Sequence, residues 1–141
     1  MMECKINWLP DAGMAFMAQT GTGHILNMDG APEAGGNNLA PRPMELLLAG
    51  AGGCTAFDVV LILQRSRQSV SGCEVSVKAE RAETDPKVFT KINLHFLVKG
   101  SDLDPSKVER AIALSHDKYC SATAMLGKTA EITYSFEVVQ S

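Results

Sequence analysis

Residues 40–67 read Ala-Pro-Arg-Pro-Met-Glu-Leu-Leu-Leu-Ala-Gly-Ala-Gly-Gly-Cys-Thr-Ala-Phe-Asp-Val-Val-Leu-Ile-Leu-Gln-Arg-Ser-Arg, and this stretch decides the fold. Pro41 and Pro43 suit a helix start, because the first turn has no use for their missing N–H groups. Leu46, Leu47 and Leu48, then Val59 to Leu63, are apolar around the whole circumference, the pattern of a buried helix. Gly50, Gly52 and Gly53 interrupt it. Each costs about 1 kcal/mol against alanine in a helix, so they imply a break or a close approach of another backbone. Thr55 and Asp58 stand at capping-box spacing. The expectation is two helical segments meeting at a glycine joint, with Cys54 at the mouth of the second. The positive end of a helix favours thiolate there. Cys54 also fits as a small core residue, and Asp58, on the same helical face, would oppose a thiolate. Both readings stay open at this point.

Outside this stretch, composition narrows the classes. The 141 residues are 45% hydrophobic with a formal net charge of −3, enough material for one core and no electrostatic footprint for nucleic acid. Aromatic residues are scarce, which argues against a base-stacking platform. The first eight residues alternate polar and apolar, so no secretory leader is expected and the chain is assigned to the cytoplasm. The glycines and Asp58 argue against a bilayer span in the longest apolar run. Cys4, Cys54, Cys73 and Cys120 include no C-x-x-C pair. That argues against a zinc site and a disulfide framework, and permits a redox pair. His24, His95 and His116 show no metal-ligand spacing to the cysteines, so no metal is expected.

Alternation over 3–9 places Cys4, Ile6 and Trp8 on one strand face, with Cys4 buried. Two further strands, 14–19 and 24–28, close a meander across turns at 10–13 and 20–23. Residues 29–38 read as a mobile surface loop. After the central helix, Cys73, Val75, Val77 and Ala79 form an inward set, and Ile92, Leu94, Phe96 and Val98 form another, as expected of an antiparallel hairpin. Asp104 and Pro105 open a helix to about His116 that buries Val108, Ala111, Ile112 and Ser115. A short turn holding Cys120 ends at Gly127, and a strand carrying Ile132, Tyr134, Phe136 and Val138 closes the chain. The order βββ–α–ββ–α–β predicts an α+β fold with antiparallel sheet. One sheet and one short helix cover only part of a helix apolar on every side, so an intertwined two-fold dimer is expected.

The run Pro-Met-Glu45-Leu-Leu-Leu-Ala-Gly-Ala-Gly-Gly-Cys54-Thr-Ala-Phe-Asp-Val-Val resembles the signature helix of the OsmC family, the osmotically inducible protein C and organic hydroperoxide resistance proteins. His116-Asp-Lys-Tyr-Cys120-Ser resembles that family's second cysteine motif. The order of elements agrees over nearly the whole chain, and the wording is most similar to the YhfA-like branch. The resemblance implies an OsmC-like fold, with antiparallel sheets wrapped around a long central helix in an intertwined homodimer whose two active sites lie at the interface. Residues 1–141 would form one domain: a meander over 1–28, the helix with Cys54 over 40–67, and the hairpin, Cys120 helix and closing strand over 73–141. It implies a thiol peroxidase serving oxidative-stress defence. Cys54 would attack an organic hydroperoxide, Cys120 would resolve the sulfenic acid as a disulfide, Glu45 would be the acidic partner, and an external thiol would be the reductant, without cofactor.

Three features bear on that implication. On a continuous helix Glu45 lies about 13 Å along the axis from Cys54 and on the opposite side, so it could act only across a dimer or around a bend. The arginine that the family's peroxidases carry in the N-terminal strands is absent from 3–28, and Ser121 follows Cys120 where better-known members have proline. Arg42 and Lys118 are possible substitute cations, although Arg42 is the natural i, i+3 surface partner of Glu45. The missing arginine supports a second reading, a protein that holds a small lipophilic molecule in the same apolar site with little or no redox turnover. Hydrolysis by a Cys–His pair has no oriented pair to support it.

Overall fold

A computed structural model describes residues 1–141. They divide into two compact units, Met1–Leu47 and Leu48–Ser141.

The first unit is the expected meander: β1 (Cys4–Leu9), β2 (Ala15–Thr20) and β3 (Ile25–Met28), antiparallel in that order. Trp8, Phe16 and Met28 are paired across the three strands. The turn before β2 depends on Gly13, whose φ of +67° is open to glycine without strain. Its carbonyl accepts a hydrogen bond from the Trp8 indole at 2.8 Å. Cys4, expected to be buried, is exposed. It begins an edge strand of which only Leu9 is even half-buried, so alternation marks a face there without marking a cover.

The segment expected to be a mobile loop has an internal organiser. Asp29 is 2% exposed, and its carboxylate accepts hydrogen bonds from the backbone N–H groups of Gly30, Asn37 and Leu39 at 2.7, 3.1 and 3.2 Å. The Leu39 amide foremost holds this carboxyl below the usual aspartate range, against the opposing effect of burial. A 3-10 turn, Pro32–Ala34, sits inside the loop.

α1 runs unbroken from Pro43 to Arg65. The expected joint between two helices is absent, and Thr55 is not an N-cap. Gly52 explains why: a Cβ there would stand 3.1 Å from Val77 Cγ2, so the glycine admits a close neighbour, while Gly50 and Gly53 face open space. The helix start is tied by Glu45, whose Oε1 accepts from the Arg42 backbone N–H at 3.0 Å. This is half of a capping box, and it replaces the side-chain pair expected between Arg42 and Glu45. Ala51, Gly52, Thr55, Val59 and Leu63 are buried, a stripe at i, i+4 spacing, whereas Phe57 on another side is 68% exposed. α1 is also long and apolar enough to cross a bilayer by length and composition, a test that core helices pass too.

In the second unit, β4 (Ser69–Arg81) and β5 (Phe89–Ser101) form the expected antiparallel hairpin. β6 (Glu131–Gln140) pairs with β5 in parallel, so this sheet is mixed rather than antiparallel. The reason is the crossover: α2 (Pro105–Leu114) and the following turns carry the chain back to the starting end of β5. Ile92, Leu94, Phe96 and Val98 from β5 join Val108, Ala111 and Ile112 from α2 and Val59 and Leu63 from α1 in the buried core. Asp104 caps α2 by accepting from the Ser106 N–H at 2.9 Å, with Pro105 in the first turn.

Candidate active site

α2 does not end cleanly. It widens into a π-turn, Ser115–Tyr119, in which the Cys120 N–H reaches back five residues to the Ser115 carbonyl at 2.8 Å. Such widened turns often lie at functional sites. Here the turn releases Cys120 into extended backbone, where it becomes the N-cap of α3 (Ser121–Leu126). The Thr123 N–H donates to Cys120 Sγ at 3.4 Å, so the thiol does the work usually given to a hydroxyl or carboxylate. Gly127 follows the helix as expected.

Cys54 is on α1, in mid-helix and half-buried. Its Sγ, the Cys120 Sγ and a carboxylate oxygen of Asp58 lie within 4.8 Å of one another. The structure thus brings together Cys54 and Cys120, with Asp58 as a third member. Burial alone would raise the Cys54 pKa. The Ala122 backbone N–H and the side chains of Cys120 and Ser121 outweigh it by hydrogen bonding, and the Asp58 charge pulls the other way. The net direction is down, toward thiolate. The expected helix-end effect therefore operates from a different helix: the amide belongs to the first turn of α3, not to the residues after Cys54. Cys120 moves oppositely. Burial, which leaves it 2% exposed, pushes its pKa up, Thr123 opposes through hydrogen bonds, and Cys54 adds to the rise. One thiol is thereby biased toward the nucleophilic form and its neighbour toward the protonated form.

A buried hydroxyl pair locks the two cysteine-bearing segments. Thr55 Oγ1 and Ser115 Oγ are 2.8 Å apart, and Ser115 Oγ donates to Asp58 Oδ2 at 2.9 Å. Sequence reasoning placed Ser115 on the buried face of α2 but saw no role for it, and it assigned Thr55 and Asp58 to a cap that does not form. Their i, i+3 spacing puts both on one side of a continuous helix, and that was the available signal.

The remaining candidates lie elsewhere. Glu45, nine residues before Cys54 on an unbroken helix, points away from Cys54 of its own chain and caps α1 instead. Lys118 is exposed, with its ammonium 5.3 Å from the Tyr119 ring centre. The His116 ring packs against Tyr134 at 5.5 Å, and its buried Nδ1 has no hydrogen-bond partner. Cys73 is half-buried on β4, and burial raises its pKa.

Comparison with known proteins agrees with this architecture. The OsmC-like protein family matches residues 35–135. The chain is 47% identical over 138 residues to Protein YhfA of Escherichia coli strain K12, covering 98% of both. A solved structure of a hypothetical protein from Aquifex aeolicus is 28% identical, with a TM-score of 0.85 over 100% of this chain and 98% of that one. An organic hydroperoxide resistance protein OsmC from Legionella pneumophila shares the fold at 17% identity, with a TM-score of 0.71 over 97% of this chain and 96% of that one. With its mixed α+β architecture, its signature helix and its two cysteine motifs, this chain belongs to the OsmC family.

Proposed function

We propose that the protein is a cytoplasmic thiol-dependent peroxidase that reduces organic hydroperoxides in oxidative-stress defence. The observation that carries this reading is the pairing of a thiolate-biased Cys54 with a protonated Cys120 within 4.8 Å. The Cys54 thiolate attacks the peroxide O–O bond, taking one oxygen as sulfenic acid and releasing an alcohol after protonation. The Cys120 sulfur then displaces that oxygen as water and forms the disulfide, and two equivalents of an external thiol reduce it. A neighbouring thiol that is protonated at rest does not compete as the peroxide nucleophile, and it gives its proton to the departing hydroxide as its sulfur attacks the sulfenic acid. No resident cofactor or metal is needed for this chemistry. Organic hydroperoxide and hydrogen peroxide consumption should be compared in one assay, with Cys54→Ser as control. Turnover that is lost in Cys54→Ser is expected, and turnover unchanged by that substitution would overturn the reading.

The protein acts as a homodimer in this proposal. The exposed apolar side of α1, including Leu47 and Phe57, is the surface that a second copy would cover. Glu45 would then serve the partner's thiol. Heterodimers pairing Glu45→Gln with Cys54→Ser subunits should keep one intact site of two, so about half the wild-type activity returns. Heterodimers no more active than either parent would rule out that role.

A second reading, binding of a small lipophilic molecule, is favoured by one observation. An open apolar groove of about 420 Å³ lies along α1 and β4, lined by Leu48, Gly52, Gly53, Ala56, Val75 and Val77. Binding of a lipophilic probe without peroxide turnover would select it.

A further inference from the structure

We propose that the reduced chain binds one soft divalent cation, Zn²⁺, through Cys54 Sγ, Cys120 Sγ and a carboxylate oxygen of Asp58. The sequence offers no metal-ligand spacing, since the two cysteines are far apart in the chain. The fold supplies what the spacing lacks.

Three arguments carry the site. The three ligand atoms already lie within 4.8 Å of one another. Tetrahedral zinc, with bonds of about 2.3 Å to sulfur and 2.0–2.2 Å to oxygen, asks for ligand atoms roughly 3.5–3.8 Å apart, so any remaining closure is within side-chain rotation. Cys54 and Asp58 are an i, i+4 pair on one face of an unbroken helix, the spacing at which two side chains of one helix reach a common ion. Finally, the carboxylate is oriented in advance: Ser115 Oγ donates to Asp58 Oδ2 at 2.9 Å and is itself held by Thr55. Outer partners of this kind fix metal-binding groups and strengthen sites.

Two thiolates select zinc over magnesium or calcium, which prefer all-oxygen shells. The ion would also relieve the crowding of three groups that are anionic when ionised. Three protein ligands leave a fourth position for water, the open type of site. Zn²⁺ takes both cysteines as thiolates, so binding releases the Cys120 proton and whatever share of the Cys54 proton is still present. The disulfide has no thiolate to offer, so the site exists only in the reduced protein. Oxidation of the loaded form by an organic hydroperoxide would consume two protons and yield the disulfide, the alcohol, water and free Zn²⁺. The inference uses the same cysteines as the peroxidase reading but does not depend on turnover.

The test is titration of the fully reduced chain, without peroxide. Co²⁺ reports thiolate ligation through its charge-transfer absorbance, and Zn²⁺ uptake is followed by competition with a chromogenic chelator. One equivalent is expected to bind, with the cobalt–thiolate band present. Cys54→Ser and Cys120→Ser, checked for folding by circular dichroism, should each abolish that band or weaken binding at least about a hundredfold. Asp58→Asn should weaken it by about tenfold or more. The wild-type disulfide form, which needs no substitution, should bind none. Failure of the reduced chain to bind, binding that survives either cysteine substitution or the disulfide, or unchanged affinity in Asp58→Asn would overturn the proposal. A chain that binds zinc yet consumes no peroxide retains this site and loses the enzymatic reading. The reverse result does the opposite.

Discussion

β1 and β5 carry the same alternating signal and end in opposite environments. On β5, Ile92, Leu94, Phe96 and Val98 are all buried; on β1, Ile6 and Trp8 are more than half exposed. The difference is cover. β5 is the central strand of its sheet, flanked on both edges, and its inward side chains join those of α1 and α2 in the core. β1 is an edge strand, and no side chain on its trace is buried. Period-two patterning therefore reports a face designed for contact. It does not report whether the contact is made within one chain.

The largest expected effect tests the covered half. Phe96→Ala should cost about 3–5 kcal/mol in denaturant unfolding, at every protein concentration, because it empties a filled site in the core. A cost below 1 kcal/mol would break the contrast. Assembly tests the uncovered half. The proposed dimer should bury more than about 2,000 Å² and sediment as a dimer at micromolar concentration, and a stable folded monomer would leave the β1 face unexplained. If the meander is covered in that dimer, Trp8→Ala should weaken association and its cost should grow on dilution.

Thiol chemistry sharpens the comparison on a smaller scale. In alkylation against pH, Cys54 should reach half-maximal rate below an ordinary thiol and Cys73 above it, since the thiolate alone reacts and burial opposes it at Cys73. Coincident midpoints would remove the electrostatic basis of the site. The smallest effect is at Asp58. Its charge disfavours the Cys54 thiolate, so Asp58→Asn should shift the Cys54 midpoint further down, by a fraction of a pH unit to about one unit. An upward shift would overturn the role of Asp58 as a charge opposing the Cys54 thiolate.

Much of this was legible beforehand. Periodicity located all six strands and α2, and Asp104-Pro105 marked the start of α2 because capping chemistry is local. The glycines of α1 misled, because a glycine that breaks a helix and one that admits Val77 look alike until the neighbour is known. The parallel pairing of β6 was hidden for a similar reason: strand direction depends on where a crossover delivers the chain. Cys54 and Cys120 were identified by the family resemblance, yet their electrostatic setting was not. The Ala122 amide that favours the Cys54 thiolate, and the Thr55–Ser115–Asp58 chain, join residues distant in sequence and leave no spacing to read. Asp29 was missed because an aspartate among glycines ordinarily signals an exposed turn, and only the loop's path shows it enclosed by its own backbone amides.

The Thr55–Ser115 hydroxyl pair has a kinetic meaning. It fastens the Cys54 segment to the Cys120 segment without using either sulfur, so the entropy of closing that long loop is spent when the chain folds. On the peroxidase reading, Cys120 then meets a Cys54 sulfenic acid at the effective concentration of a tethered neighbour, far above that of any free thiol in solution. Resolution becomes a first-order event that a second peroxide molecule must outrun. The pair would thus set the dose of oxidant at which Cys54 passes from reversible disulfide to sulfinic acid.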